Sequence, residues 1–184
     1  MGFRDQGGAD NITQFVSVNW EKKMEAEWGP VFVHESGHAL MALLCEVPCH
    51  GIYLERGGEA GRFCSLIPPV RPEQMSKKNY LVSAAGVAAE KLIYHNQESE
   101  GAAADRRDFA APIAPSFDAT VDEAYEILSG NKRKLKRLVS MLKSKARAVD
   151  LDLTRLPEVG MDGTDTRYLV LLGKDELEAA VHRP

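Results

Sequence analysis

No stretch of this 184-residue chain approaches a membrane span, which needs about 18 or more consecutive apolar residues. Cysteine is scarce: three residues, an odd number, make no disulfide framework. The opening Met1-Gly2-Phe3-Arg4-Asp5-Gln6 lacks the apolar region of a secretory signal, so a cytoplasmic location is expected. Neither sign of charge dominates. With 23 Lys and Arg against 27 Asp and Glu, the net charge of −4 gives no general attraction for nucleic acid or an anionic membrane. No G-x-x-x-x-G-K-[ST] phosphate loop occurs, and no segment repeats. The remaining composition, 44% apolar and 27% charged, is that of a soluble globular protein with enough chain for one hydrophobic core.

Against that background one motif stands out. His34-Glu35-Ser36-Gly37-His38 is a complete H-E-x-x-H. On a helix, residues four apart lie one turn apart on the same face, so both imidazoles can close on one metal ion. The intervening glutamate sits where it can take the proton of a water activated there. Two neutral nitrogen ligands, an open coordination position and a general base make the constellation of a zinc peptidase. Gly29-Pro30 supplies a chain break and then a proline suited to a first helical turn. From there residues 30–45 read as one helix that Pro48 stops. Its second half is almost wholly apolar (Ala39, Leu40, Met41, Leu43, Leu44), which belongs in a core. His34, Glu35 and His38 are then buried polar groups that need partners or a metal. A four-ligand zinc using Cys45 and Cys49 is disfavoured by helix rise. Seven residues carry Cys45 about 10 Å along the axis from His38, too far for ligand bonds of about 2.0–2.3 Å to one ion. Cys45 and Cys64 read as small buried hydrophobes.

The pattern predicts a mainly helical chain with a small β-hairpin or sheet. Residues 1–29 read as an arm with a short helix over 20–28, and 30–184 as the domain. Gly51-Ile52-Tyr53-Leu54-Glu55 and Arg62-Phe63-Cys64-Ser65-Leu66, separated by a glycine-rich turn, read as a hairpin stopped by Pro68, Pro69 and Pro72. A long helix over 73–95 carries small residues that let another helix approach closely. Residues 96–104 read as a polar loop, Pro112 and Pro115 interrupt the chain, and helices are expected over 118–128 and 131–149, with a break at Ser129-Gly130. The latter is basic (Lys132, Arg133, Lys134, Lys136, Arg137, Lys143, Lys145, Arg147) with an apolar stripe of Leu135, Leu138, Val139 and Leu142. Without interleaved aromatic residues it reads as a solvated face rather than a nucleic-acid surface. Residues 150–166 read as a linker and 175–181 as a closing helix.

A catalytic zinc takes three protein ligands as a rule, and the H-E-x-x-H supplies two. His34-Glu35-Ser36-Gly37-His38-Ala39-Leu40 resembles the HEAGHAL start of the peptidase M41 family, the protease domain of the ATP-dependent zinc metalloprotease FtsH. The likeness continues in order over about 30–181. The hairpin ending Gly61-Arg62-Phe63 resembles the family's substrate-side strand. Ala84-Ala85-Gly86-Val87-Ala88-Ala89-Glu90-Lys91-Leu92 resembles its GGRAAEEL helix, and Gly101-Ala102-Ala103-Ala104-Asp105 its GAAND segment. Ala124-Tyr125-Glu126-Ile127-Leu128 with Asn131 and Leu135 is similar to its AYEIL helix, and Leu172-Gly173-Lys174-Asp175-Glu176-Leu177 to its closing LDGEEL.

The resemblance implies an FtsH-protease-like helical zinc metallopeptidase with His34, His38 and Asp105 as ligands and Glu35 as base. From the residues alone, Asp105 also suits a helix N-cap, and Asp108, one turn on, is the competing ligand. Glu90 can accept a hydrogen bond from a ligand histidine or pair with a neighbouring lysine at the surface. Arg62, Phe63, Cys64 and Ser65 are the substrate-binding candidates, as an edge strand to which an extended polypeptide adds. Departures are Ala104 where the family has asparagine, and the absence of an ATPase module and of a membrane span. The expected function is hydrolysis of flexible or unfolded polypeptide. A separate ATPase is an open partner, and a hexamer is implied by the family alone. The alternative is a non-catalytic scaffold that keeps the fold and the metal.

Overall fold

Proline in the first turn of a helix costs no hydrogen bond, because the first N–H groups have no intrahelical acceptor. Pro30 occupies such a place in α1 (Gly29–Leu44), which carries the H-E-x-x-H. The computed structural model describes residues 29–57, 60–65, 70–71, 74–95, 100–109, 116–148 and 167–182. The expected N-terminal arm and its short helix, the five prolines from Pro68 to Pro115 and the 150–166 linker lie outside the described residues. From Phe32 to Ala42 every residue of α1 is buried, as its apolar second half requires. The helix ends before Pro48 is reached. Val47 N–H donates to Ala42 O at 2.8 Å and Glu46 N–H to Leu43 O at 3.3 Å, while Glu46 takes a left-handed φ of 59°. This is a Schellman cap built on a residue with a side chain.

Six helices and three strands occur among the described residues. β1 (Gly51–Gly57) follows α1 directly and pairs antiparallel with β2 (Ala60–Ser65), the expected hairpin. A third strand, β3 (Arg167–Gly173), joins on the other side of β1, so the sheet order is β2-β1-β3. No element is expected over this segment from its sequence pattern. Its register shifts between Ile52, which faces Leu172, and Tyr53, which faces Val170. The extra residue makes a β-bulge that buries Leu171 and Leu172 in succession and breaks the alternation by which a strand is read.

α2 (Lys77–Tyr94) is the central helix and starts later than expected, where Ser76 N–H donates to Asn79 Oδ1 at 2.9 Å. It is buried almost without interruption from Leu81 to Leu92. α3 (Glu100–Asp108) replaces most of the expected polar loop. α4 (Phe117–Gly130) is capped by Ser116 Oγ, which accepts from Ala119 N–H at 3.2 Å. α5 (Lys132–Ala148) buries Leu135, Leu138, Val139, Leu142 and Ala146. Its cations include several with partners in the fold. Lys132 Nζ donates to Leu92 O at 3.4 Å, Arg137 Nη1 to Ala180 O at 2.9 Å, and Lys145 Nζ meets Glu176 Oε1 at 2.7 Å. The Lys145 ammonium, together with the Gly173 N–H, holds the half-buried Glu176 carboxyl below its ordinary range. α6 (Lys174–His182) closes the chain against α5. No described helix is long and apolar enough to cross a membrane. Cys49 is buried as a small hydrophobe would be, whereas Cys45, expected to be, is only half-buried at the end of α1; both are free thiols. The Cys64 side chain lies outside the described residues.

The cap of α1 generates a prediction. A left-handed residue bearing a Cβ is strained by about 1–2 kcal/mol, and the exposed Lys78–Glu46 pair at 3.5 Å contributes little. Glu46→Gly is expected to raise unfolding stability by about 1 kcal/mol, read as a higher urea midpoint at unchanged denaturant slope.

Candidate metal centre

The site is made where α1 and α2 cross at very short range. A Cβ on Gly37 would fall 2.4 Å from Ala85 O and 2.6 Å from Ala89 Cβ. A Cβ on Gly86 would fall 2.5 Å from His38 Nε2 and 2.6 Å from His34 Nε2. Two glycines, one on each helix, therefore let the α2 backbone run directly beneath the histidine pair. The helices run antiparallel here. His38 lies against Val82, His34 against Glu90, and Gly86, one turn from each, lies between them.

Those two neighbours fix the rings. His38 Nδ1 lies 2.7 Å from Val82 O. A carbonyl oxygen only accepts, so Nδ1 carries the hydrogen. His34 Nδ1 lies 2.6 Å from Glu90 Oε1, and Glu90 is only 1% exposed. The surface ion pair with a lysine is thereby corrected: Glu90 is a buried carboxylate that takes the histidine N–H. When both rings are neutral these tautomers leave a lone pair on each Nε2, and the two atoms stand 3.0 Å apart. Asp105, from α3, completes the group. Its Oδ2 lies 3.2 Å from His34 Nε2 and 3.1 Å from His38 Nε2. No ring N–H is aligned on that oxygen, which is a buried atom without a hydrogen bond. The N-cap role is corrected too, since Asp105 sits inside α3.

Three electron-rich atoms at the corners of a 3.0–3.2 Å triangle repel one another unless a proton or a metal cation lies among them. Two ligands about 2.1 Å from one ion at a tetrahedral angle stand roughly 3.4 Å apart, so a shift of a few tenths of an ångström accommodates the ion. The donor set therefore fits a divalent metal, and these three residues are the metal-capable group among the described residues. The His34 imidazole reports the same attraction for positive charge. Burial works to lower its pKa, but contacts with Asp105 and Glu90 and the charges of Asp105 and Glu35 outweigh that and raise it to about 10. Burial likewise works to raise the Asp105 carboxyl, and the contacts with His34 and His38 hold it well below the usual carboxylate range. The Asp105 side chain is 22% exposed against 4% for His34, so the carboxylate side of the group meets solvent.

Glu35 is buried beside His34, close enough for its charge to act on that ring. The competing carboxylate of Asp108 and the side chains of Arg62, Phe63, Cys64 and Ser65 lie outside the described residues. The backbone of those four belongs to β2, an edge of the sheet among the described strands. Sequence reasoning missed the Val82 carbonyl and Gly86. A carbonyl has no sequence signature, but a glycine inside the apolar run Leu81 to Leu92 does mark a close approach. Compared with known proteins, the chain matches no family model and no curated sequence.

Two outcomes are expected. Gly86→Ala places a methyl group on the two Nε2 atoms, an overlap that outweighs its small gain in helix propensity; metal affinity should fall by more than about tenfold and the metal-free melting temperature should fall as well. Chelator competition and thermal denaturation measure the two effects. Metal uptake at pH 7 should also release about one proton, because a raised His34 pKa means that the metal displaces a hydrogen. Affinity then weakens as pH falls and strengthens as pH rises towards about 10. Calorimetry in buffers of different ionisation enthalpy counts the proton.

Proposed function

We propose that this chain is a zinc-dependent peptidase of the M41 type, acting on flexible or unfolded polypeptide. The observation that carries this reading is the convergence of Asp105 Oδ2 on both Nε2 atoms of the H-E-x-x-H pair, with Glu35 adjacent in the same buried turn. Two imidazole nitrogens and one carboxylate oxygen, leaving a side open, suit catalytic zinc. When bound, zinc supplies Lewis acidity towards a carbonyl and makes water a nucleophile near neutral pH.

The chain's own groups do the rest. Glu90 and the Val82 carbonyl hold the histidine rings in the tautomer that keeps both Nε2 atoms free to donate. Asp105 contributes a negative charge that offsets part of the cation's. Glu35 takes the proton of the attacking water and passes it to the departing amine, a transfer that keeps the carboxylate anionic at the start and end of the cycle. The outer edge of β2 offers its backbone N–H and C=O groups to an extended peptide, which would bind as a further strand. The same resemblance suggests self-assembly of the domain and a separate ATPase that delivers unfolded chain.

The test is metal content together with cleavage of unfolded casein. Protein purified without added metal should carry about one zinc, and the Glu35→Gln variant should keep that metal while losing cleavage by at least about a hundredfold. Equal cleavage by Glu35→Gln and the parent would remove Glu35 as the base. Full metal retention with no cleavage by the parent would favour the non-catalytic scaffold.

A further inference from the structure

α3 supplies the third donor, yet it is a poor helix by itself. It has nine residues, Gly101 among them, and isolated helices are marginal even at about 12–15 residues. Of its described side chains only Ala102 is buried. Something other than its own propensity holds Asp105 in place.

The contacts that do so flank the aspartate. Arg106, the next residue, reaches α4: its Nη1 donates to Asp118 Oδ1 at 2.8 Å, and its guanidinium carbon lies 4.9 Å over the Phe117 ring. Phe109, four residues after Asp105, is wedged between two helices. Its ring centroid lies 5.4 Å from that of Tyr80 on α2 and 5.0 Å, edge-on, from that of Phe117 on α4. The ion pair is exposed at both ends, 43% and 67%, and alone would add little. The aromatic contacts and the cation over a ring are the stronger elements.

We propose that Phe109 and Arg106 are positioning residues for the third donor: they latch α3 between α2 and α4 and so set how tightly the His34–His38–Asp105 group holds a divalent cation. The inference rests on the metal reading of that group, and not on peptide cleavage. Its physical basis is the narrow tolerance of a ligand bond, about 0.2 Å, against a short helix whose placement depends on the Arg106 and Phe109 contacts at its end. His34 and His38 need no such latch, because α1 is buried through its own core.

The experiment measures zinc affinity of the full chain by competition with a chromophoric chelator. Phe109→Ala, Phe109→Leu and Arg106→Gln are each made alone and together with Asp105→Ala. Phe109→Ala should weaken zinc binding about ten- to a hundredfold, with smaller losses for Phe109→Leu and Arg106→Gln and an unchanged melting temperature for metal-free Phe109→Leu. In the Asp105→Ala background the same substitutions should have no further effect, since α3 then carries no donor. Parent-like affinity in both Phe109 variants would overturn the proposal. So would an equal loss with and without Asp105, which is the mark of a general structural effect. Cleavage plays no part in this readout, so a parent that binds zinc and cuts no peptide overturns the peptidase reading alone.

Discussion

The geometry of this protein depends on how closely two helices approach. Ordinary helix pairs stand about 8–10 Å apart, separated by their side chains. Here Gly37 and Gly86 remove the side chains at the crossing, and neither position has room for a methyl group. Only at that range can a backbone carbonyl of α2 bond one histidine of α1 and a carboxylate one turn beyond the glycine bond the other. The ring orientations, their tautomers and the direction of both lone pairs follow from the crossing. Ala85 and Ala89 of α2 lie against Gly37 in the same crossing.

The arrangement also explains a costly feature. A carboxylate as deeply buried as Glu90 is unfavourable without a charge-bearing partner. The carboxylate accepts the His34 N–H, a charge-assisted hydrogen bond that offsets that cost and gives the imidazole more electron density at the opposite nitrogen. Asp105 is held differently: it arrives from a short helix, meets solvent, and brings the negative charge that the two rings lack. Rigid rings from one buried helix and a carboxylate from a lighter element divide the work between placing a cation and neutralising it.

Much of this was legible in the sequence wherever chemistry or periodicity is local. The H-E-x-x-H announced α1, its face and its burial, and the hairpin was marked by the turn between two strand-like runs. The α4 and α5 boundaries were recognised within two residues. What escaped depends on distant partners. β3 pairs with a strand far earlier in the chain, and its bulge hides the alternation that would have revealed it. The first half of α3 reads as a loop because the segment is held at its end, through Phe109, by Tyr80 and Phe117, which lie outside it. Asp105 itself came from a family resemblance; its spacing says nothing, since a mid-helix aspartate and a capping one look alike in a string.

The donors come from α1 and α3, helices separated along the chain by the hairpin and all of α2. A cation bound by both ends of that span acts on the unfolded polypeptide as a cross-link does. It closes a long loop, and the entropy denied to the unfolded chain grows only logarithmically with loop length. An ion at this position would be a clasp around the central helix as well as a reagent. Exchange of the ion and loosening of the fold would then be two views of one equilibrium, and the rate at which the protein gives up its metal would be limited by how often α3 swings clear.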